Sequence, residues 1–312
     1  MLKVLYNIVI QIRNWLYDHK IFNIYKSSIP IISVGNITLG GTGKTPFVIY
    51  LASFFLNKNL NPLIISRGYK RKSTNQILFN NNSSFTSDLV GDEPFLISKK
   101  LPDVDIIVNK NRVQAVKYAE SSTKNYDIII LDDGFQHRSI YRDLDIVLIN
   151  TNQNHSSLFP SGMLREPFKN ISRSDCVVLT KNNKNFNSLI LEGFNVPVFQ
   201  CEEEYSLSNN NRQGVGFCGI GNPSSFWKTL NDLSVDITEK IELKDHQKYD
   251  KQTIRVIESL LNNDKTFFTT EKDWVKLPQR FIKKYNGNFV DMKVNIENDL
   301  FLNMLEKLCP KN

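Results

Sequence analysis

Six short apolar runs set the tightest limit on the fold: PIISV (30–34), PLIIS (62–66), VDIIV (104–108), YDIIIL (126–131), LDIVLI (144–149) and CVVLT (176–180). None shows the steady alternation of apolar and polar residues that a strand with one wet face requires. Runs of this kind belong to strands covered on both faces, as in a parallel sheet between two helix layers. Helix-like stretches separate them, among them FVIYLASFFL (47–56) and RVQAVKYAE (112–120). The expected fold is therefore α/β of the P-loop type, a mostly parallel sheet with helices on both faces. Around 201–213 the chain turns polar (CEEEYSLSNNNRQ), and this segment reads as a linker or an exposed strand. Beyond it lie strands at VGFCGI (215–220), KTFFTT (265–270) and NFVDMKVNI (288–296), with helices at SSFWKTL (224–230) and LFLNMLEKL (300–308). The expected division is a nucleotide-binding unit over 1–205 and a second, smaller α/β unit over 206–312.

A chain of 312 residues, 41% of them hydrophobic, can bury a sizeable core. Its net charge of +7 favours an anionic partner: a membrane surface, a nucleic acid or a phosphorylated substrate. No recognition motif accompanies the charge, so no nucleic acid is expected. Cys176, Cys201, Cys218 and Cys309 show no close pairing and read as reduced thiols. The N-terminal MLKVLYNIVIQIRNWLYDHK carries Leu5, Ile8, Val9, Ile12, Trp15 and Leu16 at helical spacing, with Lys3, Arg13 and Lys20 elsewhere. Its uncharged core is too short to span a bilayer. Two readings stay open, an interfacial helix on an anionic membrane and a helix packed on its own domain.

The chemistry starts at GNITLGGTGKTP (35–46), between a strand and a helix. In that setting backbone amides and a helix N-terminus aim at phosphate, Lys44 reaches the outer phosphates and Thr45 ligates Mg²⁺. The standard pattern asks for glycine where this chain has Thr38, so a variant loop shape is expected, with Gly40 and Gly41 supplying flexibility. YDIIILDDGFQH (126–137) ends a strand in Asp132-Asp133, placed to hold Mg²⁺, with Gln136 and His137 at the same edge. Asp92 and Glu93 open a helix in VGDEPFLI (90–97). They complement the helix dipole, or they supply a base and a metal ligand. SRGYKRK (66–72) is a basic loop that is either solvated or bound to an anionic group, and LKDHQKYD (243–250) places a histidine in polar surroundings. GVGFCG (214–219) matches a dinucleotide fingerprint in letters only, because its apolar residues make it part of a strand.

Taken together, GNITLGGTGKTP, SRGYKRK, GDEP, LDDGFQH, PSGMLREP, KDHQKY and TTEKDWVKL, in this order over roughly 30–280, resemble the tetraacyldisaccharide 4′-kinase family. The family transfers the γ-phosphate of ATP to the 4′-hydroxyl of tetraacyldisaccharide 1-phosphate, forming lipid IVA at the cytoplasmic face of the bacterial inner membrane. The resemblance implies ATP and Mg²⁺ as cofactors. Asp92 is then the base, working with His246, and Lys44 is the catalytic lysine that neutralises charge on the phosphates. Thr38, Leu39, Gly40, Gly41, Thr42, Gly43, Lys44, Thr45 and Gln136 hold the nucleotide, and Thr45, Glu93, Asp132 and Asp133 serve the metal. Arg67, Tyr69, Lys70 and Arg71 suit the lipid's phosphate, and the N-terminal helix suits docking of a monomer on the membrane. The alternative is a switch ATPase of the partitioning or metallochaperone type, whose loop GGTGKT also resembles. That class carries a lysine before the two glycines, where this chain has Leu39.

Overall fold

The structure is a computed structural model and describes residues 2–153, 155–181, 183, 185–261 and 266–310. The chain runs α1 (Leu2–Asp18), β1 (Ile31–Asn36), α2 (Lys44–Asn57), β2 (Pro62–Ser66), β3 (Ile77–Phe79), α3 (Ser87–Val90), α4 (Asp92–Lys100) and β4 (Asp105–Val108). It continues with α5 (Arg112–Glu120), β5 (Ile128–Asp132), β6 (Leu144–Asn150), β7 (Cys176–Thr180), β8 (Val198–Gln200) and β9 (Glu202–Leu207). Next come β10 (Gln213–Cys218), α6 (Pro223–Asp232), β11 (Asp236–Glu242), α7 (Lys251–Leu261), β12 (Thr266–Thr270), α8 (Glu271–Trp274), α9 (Gln279–Lys284), β13 (Asn286–Asn295) and α10 (Asp299–Glu306).

Eight strands form one sheet in the order β3-β4-β2-β5-β1-β6-β7-β8, parallel except for β3 at one edge. All six apolar runs lie in it, and β1, β2, β4, β5 and β6 are buried along their whole length. Alternate side chains fill opposite layers. Ile32, Ile64 and Ile130 pack with Phe47, Leu51 and Phe55 of α2, whereas Ile31, Leu63 and Ile129 pack with Ala115 and Val116 of α5. With both faces covered, apolar residues dominate both, and the few polar ones, such as Asp105 and Asp145, are paired with Lys124 and Arg142.

The second sheet, β11-β10-β12-β13-β9, is parallel except for β9, which pairs antiparallel with β13. The polar 201–213 segment holds the strand β9 over 202–207 and the connection to β10, and the GVGFCG run lies almost wholly within β10. Phe217, Phe267 and Phe281 form its aromatic centre. The chain crosses between the sheets at two adjacent points, since Asn295 sits opposite Glu202 in the β13–β9 register. After the second crossing, Ile296, Phe301 and Leu305 return to the core of the first sheet beside Phe47 and Phe199.

Helix α1 lies on the first unit by one stripe only. Ile10 and Asn14 are buried, while Leu5, Ile8, Val9, Ile12 and Trp15 are each about half exposed or more. Among the described residues no helix is long and apolar enough to cross a membrane. The four cysteines are free.

Candidate active site

The carboxyl ends of β1, β5 and β2 meet where the order of connections reverses, the usual place for a ligand in an open parallel sheet. Strand β1 feeds the glycine loop, and α2 leaves it. Gly43 stands at the head of α2 with φ 81°, a left-handed conformation that suits glycine, and no side chain caps the helix. The first amides of α2 are therefore left for a ligand, the arrangement that binds phosphate. Residue 38 needs no glycine, because the backbone there is extended. Thr38 bridges Leu164, the Leu39 amide donates to the Met163 carbonyl (2.7 Å), and the Arg165 amide donates to the Ile37 carbonyl (2.7 Å). The Thr38 hydroxyl donates to Gln153 (2.6 Å), Asn150 donates to the Gly41 carbonyl (2.9 Å) and Thr180 to the Thr42 carbonyl (3.2 Å). A short two-stranded ribbon thus shapes the start of the loop.

Lys44 points back across the loop to Asn36 Oδ1 (3.1 Å) and Asp133 Oδ1 (3.4 Å). Asp133 also accepts two bonds from Arg165 Nη1, at 2.9 and 3.0 Å. Burial alone would raise the Asp133 carboxyl, but Lys44 and Arg165 outweigh it and hold it down at about 2. Asp132 behaves in the opposite way. It is buried, accepts one bond from Ser66 (2.8 Å), and is pushed up by burial and then by the charges of Glu93 and Asp133. Gln136 donates to the Asn36 carbonyl (2.8 Å) and to Glu166 (2.9 Å), fixing the DDGFQ turn against the glycine loop. β1 and this turn also touch closely, since a Cβ on Gly35 would lie 2.4 Å from Phe135 Cβ.

The second unit supplies the other wall. His246 Nδ1 lies 2.9 Å from Asp92 Oδ2, joining residues 154 apart in sequence. His246 itself is held at φ 62° by its amide bond to the Gly219 carbonyl. A non-glycine residue there is strained by about 1–2 kcal/mol. Of the seven such residues among those described, Lys70, Asp133 and His246 are all sequence-predicted site residues. This fits the tendency of strain to collect at functional sites. Burial would raise the Asp92 carboxyl, yet His246, Lys276 and Lys272 together leave it below its ordinary value. Lys272 reaches Glu93 (3.4 Å) and Lys276 reaches Asp92 (3.6 Å).

The basic loop lies against this wall. Gly68 touches Gly91, the Tyr69 ring meets His246 edge-on at 5.9 Å, and Arg67, Tyr69 and Lys70 are exposed. Arg71 is partly buried, with Nε and Nη1 unpaired among the described residues.

Asp92 and His246 thus lie together, as do Lys44 and Asp133, while Asp132 feels the charges of both Glu93 and Asp133, and Thr45 lies in the first turn of α2. Reading the sequence alone missed Asn36, Arg165 and Glu166, and it gave no role to Lys272, Asp273 and Lys276. The signal was present for Arg165 and Glu166 in the charged pair of PSGMLREP, and for the lysines in TTEKDWVKL.

As for a metal, no three His, Cys, Asp or Glu side chains among the described residues form a ready-made cage. The donor set does fit a hard cation that keeps its waters and is shared with phosphate. Its carboxylates are oxygen donors, and the repulsion raising Asp132 is what a dication would remove.

A model of the family described as tetraacyldisaccharide-1-P 4′-kinase matches residues 1–309. The tetraacyldisaccharide 4′-kinase of Aquifex aeolicus is 34% identical over 95% of this chain and 93% of its own. That of Francisella tularensis subsp. tularensis is 36% identical over 87% of each. The crystal structure of LpxK from Aquifex aeolicus in complex with ATP superposes with a TM-score of 0.83 at 32% identity, covering 99% of this chain and 98% of that one. With the family model matching nearly the whole chain, relatives above 30% identity over most of it and the fold shared with a solved member, the chain belongs to the tetraacyldisaccharide-1-P 4′-kinase family.

Proposed function

We propose that this chain is the ATP-dependent kinase that phosphorylates the 4′-hydroxyl of tetraacyldisaccharide 1-phosphate to give lipid IVA. The observation that carries the reading is the 2.9 Å contact of Asp92 with His246, beside Glu93, whose charge acts on Asp132 at the end of the strand that pairs with β1. It sets a carboxylate base beside a phosphate site, which is what transfer to an alcohol needs. A switch ATPase needs no such base, and the family does not favour it.

In this reading the loop from Thr38 to Thr45, with Gln136 beside it, cradles the nucleotide. Lys44 exchanges Asp133 for the outer phosphates, and Arg165 retains Asp133. Thr45, Glu93, Asp132 and Asp133 would hold Mg²⁺, Asp133 once Lys44 has turned to the phosphates. Bound there, the ion neutralises charge on the phosphates. Asp92, kept ionised and oriented by His246, accepts the proton of the 4′-hydroxyl. The oxygen bonds to the γ-phosphorus as the bond to the ADP oxygen breaks. Arg67, Tyr69, Lys70 and Arg71 receive the lipid's phosphorylated sugar. The exposed side of α1 docks a monomer on the cytoplasmic face of the inner membrane, and the positive charge serves lipid phosphate, not nucleic acid. The division at about 205 belongs to the same proposal, and the packing of α10 on the first core argues for closing the second unit before that helix.

The test is one incubation of the protein with Mg²⁺-ATP and tetraacyldisaccharide 1-phosphate in detergent, read by mass spectrometry. A lipid heavier by one phosphoryl group is expected. ATP hydrolysis with unmodified lipid would sink the acceptor assignment.

A further inference from the structure

Lys276 lies at the C-terminal side of α8, and its side chain is only 6% exposed. Its ammonium meets three acceptors: Asp273 Oδ1 at 3.1 Å, the Gln247 carbonyl at 3.3 Å and Asp92 Oδ2 at 3.6 Å. The Tyr249 ring closes the fourth side at 5.3 Å. It donates a hydrogen bond to the Gln247 carbonyl and pairs by charge with the two carboxylates, so this buried ammonium is engaged within the protein. Lys272 differs: it meets a single carboxylate, Glu93, and is 23% exposed.

Each of the three acceptors has a place in the cleft. Asp92 is the proposed base. Gln247 follows His246 directly. Asp273 is completely buried, and its Oδ2 accepts from the Gly219 amide (2.8 Å) and from Thr270 (2.7 Å). The Gly219 carbonyl in turn accepts the His246 amide (3.2 Å). The loop that keeps His246 in its strained conformation is thus tied down on both sides of the histidine, and Lys276 joins both ties to Asp92. His246 and Lys276 reach the same oxygen of Asp92, Oδ2. With the His246 ring nitrogen and the Lys276 ammonium on one oxygen, the rotation of the carboxylate is fixed and Oδ1 is left to receive a proton.

We propose that Lys276 is a positioning residue for phosphoryl transfer, locking Asp92 and the His246 loop in one arrangement across the two units with Asp92 Oδ1 turned to the acceptor. The proposal rests on the kinase reading above. A misplaced base costs rate while leaving nucleotide binding intact, because the glycine loop is built without Lys276.

The test uses the full chain as wild type, Lys276→Met, Lys276→Arg and the doubly neutral Asp273→Asn/Lys276→Met. The last is included because Lys276→Met leaves Asp273 buried without its counter-charge and can fail to fold. With Mg²⁺-ATP and tetraacyldisaccharide 1-phosphate, Lys276→Met or the neutral pair should lose roughly ten- to hundredfold in kcat, with KM for ATP unchanged. Lys276→Arg should recover most of that loss. Adding Asp92→Asn to Lys276→Met should cost much less than Asp92→Asn alone, since residues acting as a unit are not additive. A second readout does not depend on the acceptor. NMR of the four histidines should show the His246 ring bond to Asp92 in wild type and Lys276→Arg, and lose it in the neutral pair. Unchanged kcat in a folded neutral variant, a loss confined to KM for ATP, or an undisturbed His246 ring bond would overturn the proposal. Failure of wild type to modify the lipid would sink the kinase reading alone, and the NMR readout would still decide the role of Lys276.

Discussion

The exposed side of α1 allows a prediction with a magnitude. Leu5, Ile8 and Ile12 are 59%, 47% and 54% exposed, so burying what remains would transfer about half of each side chain out of water. Full burial of such a side chain contributes about 1.5–3 kcal/mol, so each supplies roughly 1 kcal/mol on docking and the three together about 3 kcal/mol. Replacing all three by serine should weaken association with a bilayer by roughly a hundredfold. The fold should tolerate the change, because the helix is held by other residues. Tyr6 donates to the Arg165 carbonyl (2.8 Å), Arg138 donates to the Asn14 carbonyl (3.1 Å), and Arg13 donates to the Gln136 carbonyl. The assay is co-sedimentation with vesicles containing anionic lipid, paired with thermal melting and nucleotide binding by calorimetry. Lost sedimentation with unchanged melting and nucleotide binding is expected. Undiminished vesicle binding would refute the reasoning, and so would a large drop in melting temperature, which would show that this side packs against protein.

Two further outcomes follow from the site. Lys44→Ala should weaken nucleotide binding as well as turnover, whereas Asp92→Ala should keep nucleotide binding and lose about 10²–10⁴-fold in kcat; calorimetry beside steady-state kinetics separates them. His137 gives a pH dependence of stability. Burial, followed by Arg112, Arg13, Arg142 and Arg67, lowers it from 6.5 to about 4 in the folded chain. A base with a depressed folded value favours the folded state fully above its unfolded value, near 6.5. That advantage is lost as pH falls from there toward 4, and amounts to at most roughly 3 kcal/mol. Urea titrations at pH 8 and pH 5 should show the loss, and His137→Gln should flatten it.

What could be read from the sequence followed from burial. The strands of the large sheet announce themselves because both faces are covered, so composition alone marks them. β11 escaped notice because DITEKIE lies at an edge with mostly exposed side chains, where charge costs nothing. Within the site, the glycine loop and the Asp132-Asp133 pair are local in the chain and could be read directly. The pairing of Asp92 with His246 spans 154 residues and no local pattern encodes it, so it entered through the family resemblance. Arg165 and Asn36 were missed for a related reason. Each acts by holding another residue, and that duty shows only once the chain is folded. Thr38 departs from the glycine pattern because a ribbon with 163–165 keeps the backbone extended there.

The return of α10 to the first core bears on how the chain is made. Phe301 and Leu305 fill that core beside Phe47 and Phe199, yet they are synthesised after the whole second sheet. Roughly a hundred residues separate the two crossings, which at about 5–20 residues per second is some 5–20 seconds of translation. Through that interval the nascent first unit carries an open apolar flank, sealed only once α10 has left the ribosome. The first unit therefore stays incomplete while the second is being made, and a chain cut short before Phe301 would leave that flank uncovered.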